Sequence, residues 1–225
     1  MKLLLVEDNS AVRNVLRMSF QAEGYAVDDV EDGEQGSYYA RINSYDCIIL
    51  DNQLPKKSGK DVCNEIREAN ITTPIIFLSG LNQVTEKVAC FYSGADDYIT
   101  KPFSFEELKA RISAVLRRPE NIKQSKYTLG NLTIYPDSHE IFKSDTPLTL
   151  TRKEYALFLL LLEKKGKIAT RGELMEQVWD MHLDPFSNTL ETHIMRLRKK
   201  IGDTKQRRII KNISGRGYQI NPRLF

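Results

Sequence analysis

Apolar and polar positions alternate in blocks along the first half of the chain. Apolar runs near residues 2–7, 26–30, 47–51, 75–79 and 97–100 read as strands. Segments near 10–23, 33–43, 59–69, 83–93 and 104–118 carry helical patterns. In the last of these, Phe105, Leu108, Ile112 and Val115 make one apolar face. Ser104, with Glu107 three residues on, is a capping box at its start. Five βα units in a row predict a doubly wound, five-stranded parallel sheet with helices on both faces.

The pattern changes after residue 118. Residues 119–126 open with Pro119, are polar, and read as a linker between a domain at 1–118 and a second at 127–225. Short strands near 127–135 and 140–150 are broken by Gly130-Asn131, Pro136-Asp137-Ser138 and Ser144-Asp145. Three helices follow. Two start with capping boxes, Thr151 with Glu154 and Thr170 with Glu173, and the third spans about 187–201. A hairpin over about 207–220 turns at Ser214-Gly215-Arg216-Gly217. The second domain is therefore α+β.

Composition excludes some classes. No apolar run approaches the ~20 residues that span a membrane, and the apolar start at Leu3–Val6 is closed by Glu7-Asp8, unlike a signal peptide. A cytoplasmic protein is expected. Cys47, Cys63 and Cys90 form no CxxC pair and read as reduced packing residues. Charge divides unevenly: residues 1–118 hold 14 Lys+Arg against 18 Asp+Glu, and residues 119–225 hold 19 against 12. The basic half is a candidate for nucleic acid, although a solvated basic surface would also account for the charge.

In a parallel sheet, ligands bind outside the carboxyl ends of the strands. Glu7-Asp8, Asp51, Ser79 and Lys101 all fall there. Singly, each has an ordinary explanation, such as Asp8 capping the first helix. Together they point to chemistry. Carboxylates packed together repel unless a cation shares the site. Mg²⁺ fits, because it takes few protein carboxylates plus a phosphate and keeps several waters. Asp51 is then the nucleophile that accepts a phosphoryl group. Lys101 offsets the phosphoryl charge and Ser79 supplies a hydroxyl donor.

These residues, with Leu54-Pro55, Gly59, Gly94-Ala95-Asp96-Asp97-Tyr98 and Lys101-Pro102-Phe103, make residues 1–118 resemble the receiver domain of two-component response regulators. The resemblance implies a flavodoxin-like strand order of 2-1-3-4-5 and phosphotransfer to Asp51 from a sensor histidine kinase. It implies metal ligation by Glu7, Asp8, Asp51 and the backbone carbonyl of Gln53. It also implies a switch in which Ser79 moves toward the phosphoryl group and Tyr98 rotates inward. Gln53 and Gly80 depart from the apolar residue and the alanine that relatives often carry, so an altered phosphoryl lifetime is expected. The resemblance further implies a homodimer on phosphorylation through the 83–118 segment, with Lys87–Glu107, Asp97–Arg111 and Asp96–Arg118 as candidate pairs.

In the basic half, Leu190, Ile194, Leu197 and Ile201 form a buried stripe, and Asn188, Thr192, Met195, Arg196 and Lys199 lie opposite it. Such a face suits a major groove. The hairpin arginine, Arg216, suits a minor groove. The runs Leu150-Thr151-Arg152-Lys153-Glu154-Tyr155, Arg171-Gly172-Glu173-Leu174, Val178-Trp179, His193 to Lys200 and Gly215-Arg216-Gly217-Tyr218 resemble the winged-helix effector domain of OmpR/PhoB-type regulators. That implies promoter duplex DNA bound at tandem half-sites, with Thr189, His193, Arg198 and Lys200 joining the contact set, and RNA polymerase met through the 180–187 loop. His139, His182 and His193 are scattered and suggest no metal site. No turnover substrate is evident, so the chain reads as a regulator rather than an enzyme. Two alternatives stay open: a phosphorelay intermediate, and a DNA-binding regulator whose receiver acts without phosphorylation.

Overall fold

A computed structural model of the protein describes residues 1–80, 84–116, 126–136, 140–181, 184 and 187–225. Arg118, His139, His182, nearly all of the 119–126 linker and part of the 180–187 loop lie outside the described residues. Two compact units divide the chain, one built chiefly on Met1–Asn121 and the other on Ile122–Val178 and Leu183–Phe225.

The first unit alternates β1 (Lys2–Val6), α1 (Ser10–Ala22), β2 (Ala26–Val30), α2 (Gly33–Ile42), β3 (Cys47–Asp51), α3 (Gly59–Glu68), β4 (Ile75–Ser79), α4 (Val84–Tyr92), β5 (Asp97–Thr100) and α5 (Phe105–Leu116). The strands pair in parallel in the order β2-β1-β3-β4-β5. Side chains alternate across a strand, so each apolar run serves two cores. Leu3, Leu5, Cys47, Ile49, Ile76 and Leu78 pack with Leu16 and Phe20 of α1 and Leu108, Ile112 and Val115 of α5. Leu4, Val6, Ile48, Leu50, Ile75 and Phe77 face the other way, with Ala40 of α2, Val62, Cys63 and Ile66 of α3, and Cys90 of α4. All three cysteines are free and buried.

In the second unit, β6 (Tyr127–Leu129), β7 (Leu132–Tyr135), β8 (Glu140–Lys143) and β9 (Thr146–Pro147) form an antiparallel sheet in chain order. The strand signal near 140–150 is thus two strands, split at Ser144-Asp145, where both residues take positive φ (47° and 65°). The helices are α6 (Arg152–Glu163), α7 (Arg171–Val178) and α8 (Thr189–Ile201). Both halves of the two capping boxes expected in this unit form, at Thr151–Glu154 and Thr170–Glu173, whereas at Ser104 of the first unit the observed half is the Glu107 N–H donating to the hydroxyl at 3.1 Å. α8 begins at Thr189, two residues later than the sequence pattern indicates, with Asn188 at its cap. β10 (Ile210–Ile213) and β11 (Gly217–Ile220) close the hairpin.

The sequence offers no sign of one contact in this unit. Ala169 pairs with Tyr218 in an antiparallel bridge, N–H to carbonyl in both directions at 2.8 and 2.9 Å. Gly217 permits it: its φ is +137°, and a Cβ there would lie 2.1 Å from the Ala169 carbonyl oxygen.

Candidate functional site

Strand register assembles the acidic pocket. Val6 lies opposite Leu50, so the next residues, Glu7 and Asp51, leave neighbouring strand ends side by side. Ser79 lies opposite Thr100, and the N–H of the following residue, Lys101, donates to the Ser79 carbonyl at 2.8 Å. Gly59 lets α3 start against this edge. A Cβ there would stand 2.2 Å from the Asp51 carbonyl oxygen and 3.0 Å from the Phe77 ring. By contrast, a Cβ at Gly80 would meet nothing within 4 Å.

Glu7 and Ser79 are fully buried, Asp51 is 5% exposed, and Asp8 is exposed. Asp8 does not cap the first helix. Asn9 does, its side-chain oxygen accepting the N–H groups of Ala11 and Val12 at 3.0 and 3.2 Å. Asp8 is therefore available to the pocket. The Lys101 ammonium donates to Glu7 Oε2 at 2.7 Å and to Asp51 Oδ2. Asp51 Oδ1 accepts the Gln53 N–H at 2.8 Å. Burial raises the Glu7 pKa, and the Asp51 charge adds to this, while the Lys101 hydrogen bond works against it. Burial alone would lower the Lys101 pKa. Its hydrogen bonds to Asp51 and Glu7 outweigh that, and the net shift is upward.

Glu7, Asp8 and Asp51 each bring a carboxylate oxygen, all within 4.8 Å of one another. An all-oxygen donor set of this charge suits a hard divalent cation such as Mg²⁺, and the cluster can hold one. One carboxylate at a strand end, an ammonium fixed beside it and an all-oxygen cation site are the parts a phosphoryl acceptor needs.

In the second unit, Asn188 is exposed at the cap of α8, Met195, Arg196 and Lys199 are exposed on the helix, and Arg216 is exposed at the hairpin turn. Thr189, Thr192 and His193 are half-buried, and two of them contact their own helix: Thr192 Oγ1 bonds the Asn188 carbonyl at 2.9 Å and His193 Nδ1 the Thr189 carbonyl at 2.8 Å. Two basic residues of the expected contact set are engaged inside the unit. Arg198 donates to the Ile210 carbonyl at 3.0 Å, pairs with Asp203 at 3.8 Å and lies 5.8 Å from the Tyr218 ring centre. Lys200 pairs with the buried Glu154 at 2.7 Å. The outward basic face is thus narrower than the sequence shows and centres on Arg196 and Lys199.

Residues 3–113 match the family described as "Response regulator receiver domain", and residues 145–220 match "Transcriptional regulatory protein, C terminal". The chain is 34% identical over 221 residues to the response regulator protein PmrA of Pseudomonas aeruginosa, covering 98% of each protein. It is 37% identical over 223 residues to the transcriptional regulatory protein DltR of Streptococcus agalactiae, covering 99% of this chain and 100% of the relative. A solved receiver domain of a Francisella response regulator is 32% identical, with a TM-score of 0.50, over 52% of this chain and 97% of that one. The chain is a two-component response regulator. It joins a receiver domain to a DNA-binding domain of the winged-helix kind, and it regulates transcription. Among the described residues, no helix is long and apolar enough to cross a membrane.

In this response regulator the expected switch and dimer residues are placed as follows. Tyr98 is 7% exposed and shares a core cluster with Phe77 and Cys90. Lys87 Nζ lies 5.6 Å from the centre of its ring. Arg111 pairs with Asp97 at 3.1 Å and with Glu107 at 3.0 Å within one chain. The Asp96 carboxylate is bound by Arg67 at 2.8 Å and by the Ile75 N–H at 2.8 Å. Arg67 also donates to the carbonyls of Gly94, Ile71 and Thr73, so this pair braces the loops around β4 and β5. α4 presents Val84, Val88, Phe91 and Tyr92 to solvent, at 74, 44, 49 and 88% exposure.

Proposed function

We propose that Asp51 accepts a phosphoryl group from a sensor histidine kinase, and that this event controls how the winged-helix domain engages promoter DNA. The convergence of Glu7, Asp8 and Asp51 within 4.8 Å, with Lys101 joined to two of them, carries the proposal. An Asp51 carboxylate oxygen attacks phosphorus; the new O–P bond forms as the P–N bond to the kinase histidine breaks. When bound, Mg²⁺ supplies positive charge to the carboxylates and the phosphoryl oxygens. Glu7, Asp8, Asp51 and the Gln53 carbonyl would hold it. Lys101 turns from the Asp51 carboxylate to the phosphoryl oxygens, and its charge follows the charge transferred. Ser79 donates its hydroxyl to the same group, and the buried Tyr98 ring keeps the inward position.

Phosphorylation favours a receiver homodimer on the α4–β5–α5 face. Because Asp97, Glu107 and Arg111 already pair within one chain, a dimer must share or exchange these partners. Exposed pairs are worth only about 0–1 kcal/mol each. The exposed apolar side chains of α4 supply further contact area. Arg118 belongs to the same proposed face. The dimer sets two winged-helix domains on tandem half-sites, with Asn188, Thr189, Thr192, Met195 and Arg196 toward bases, His193 and Lys199 toward phosphates, and Arg216 toward the minor groove. Arg198 and Lys200 serve that face chiefly by holding it in shape. The protein works in the cytoplasm and meets RNA polymerase through the 180–187 loop.

Selection of DNA sites with and without a small-molecule phosphodonor and Mg²⁺, on wild type and Asp51→Ala, tests the proposal. Donor-dependent enrichment of a tandem site by wild type alone is the expected result. Equal enrichment by both proteins in all conditions overturns phosphorylation control.

A further inference from the structure

We propose that Arg13 is a positioning residue for the divalent-cation site, fixing the turn that presents Glu7 and Asp8; this rests on the acidic cluster being that site. Arg13 lies in the first turn of α1, and its guanidinium reaches back over the end of β1. Nη1 donates to the Glu7 carbonyl at 2.7 Å and to the Asp8 carbonyl at 3.1 Å. The guanidinium is braced from the other side by Asp29 at 3.4 Å and Glu31 at 3.5 Å, and its side chain is only 15% exposed.

The two carbonyls belong to the residues whose carboxylates line the cluster. Glu7 has other anchors: its carboxylate accepts the Asn9 N–H at 3.3 Å and the Lys101 ammonium. Asp8 is exposed, so its carboxylate reaches the cluster only as far as its backbone is aimed there. A single nitrogen, Nη1, bonds two successive carbonyls while Nε and Nη2 are held by Asp29 and Glu31, and this fixes the peptide between the carbonyls and with it the direction of the Asp8 side chain. Groups that orient a ligand in this way typically change metal affinity about 10–100-fold when removed.

Charge and positioning predict opposite signs here. A cation beside the cluster repels a second cation, so Arg13 acting through charge alone would weaken Mg²⁺ binding, and its removal would tighten it. Arg13 acting as a positioning residue makes its removal loosen binding.

The test is Mg²⁺ titration of the full chain by isothermal calorimetry, for wild type, Arg13→Met and Arg13→Lys, with the unfolding temperature of each protein measured without metal. The expected result is Mg²⁺ affinity at least about 10-fold weaker in Arg13→Met, and intermediate in Arg13→Lys, which keeps the charge but not the simultaneous bracing by Asp29 and Glu31. Equal or tighter binding by Arg13→Met overturns the inference. If Arg13→Met does not fold, Arg13→Lys decides: weaker binding supports the role and unchanged binding overturns it. A wild type that binds no Mg²⁺ overturns the cation-site reading itself, and this inference with it; that outcome is distinct from a wild type that binds and a variant that binds equally well.

Discussion

The Lys101 ammonium lies 2.7 Å from a carboxylate oxygen of Glu7, a residue with no solvent exposure. One side chain after β5 therefore compensates an acid after β1, across the two intervening strands of the sheet. Replacing Lys101 by Met leaves Glu7 and Asp51 facing each other, and Glu7 loses a bond that lowers its pKa. A carboxylate whose folded pKa is raised favours the folded state at low pH and penalises it as pH rises through that pKa. Lys101→Met should therefore be less stable than wild type at pH 8, with a deficit that shrinks as pH falls toward 4. Urea midpoints across that range check it. A deficit independent of pH would show that Glu7 does not carry the effect. Phosphodonor labelling of the variant should also fall by at least about 100-fold, the scale of losing one charge-stabilising group.

Glu154 has the opposite sign. Burial would raise its pKa, but the bonds from Lys200 and from the Thr151 backbone and hydroxyl outweigh that and hold it below the usual carboxylate value. Its stabilisation is present above the unfolded pKa and is lost as pH falls through the folded one. Glu154→Gln should destabilise the winged-helix domain by about 1 kcal/mol at pH 7, because it loses the Lys200 ion pair while a glutamine oxygen still accepts the Thr151 N–H. Its difference from wild type should close below about pH 4. Calorimetric unfolding at pH 7 and pH 3.5 measures both.

Arg198 and Lys199 are neighbours in the chain and should behave differently. Lys199→Met should lower the slope of log affinity against log salt by about 1, with the unfolding temperature unchanged. Arg198→Met removes the tie from α8 to Ile210 and Asp203. It should lower the unfolding temperature by several degrees with little change in salt slope. Fluorescence anisotropy at several salt concentrations, beside calorimetry, separates the two. Identical salt slopes for the two variants would count against the division.

Gly59 and Gly80 flank the same pocket with contrary tolerance. Gly59→Ala puts a methyl group into the Asp51 carbonyl and should cost about 1–3 kcal/mol or more, and slow phosphorylation. Gly80→Ala enters open space and should change stability by less than about 0.5 kcal/mol. Dephosphorylation of Gly80→Ala and Gln53→Met, timed against wild type, then reports how these two departures set phosphoryl lifetime. Unchanged rates in both variants remove that expectation.

Much of the molecule was legible in the residue pattern because its signals are local. Apolar runs of five residues, helical stripes and the Thr151–Glu154 and Thr170–Glu173 boxes each fall within one element. The parallel sheet carries this further. Once five βα units are recognised, chemistry expected at strand ends must share one edge, so Glu7, Asp8, Asp51, Ser79 and Lys101 could be grouped before any distance was known.

Tertiary structure alone decided how the cations are used. Nothing in the spacing of Arg13 shows that it holds the Glu7 and Asp8 carbonyls, or that Arg198 and Lys200 turn inward while Arg196 and Lys199 remain outside. A long, flexible side chain has many rotamers, and its partner is whichever acid or carbonyl the packed backbone brings within about 3 Å. That choice depends on strand register and helix rotation, as does the pairing of Ala169 with Tyr218. Periodicity therefore determined the elements and the edge where the acids meet, and packing determined which charges bind one another and which are left to bind a partner.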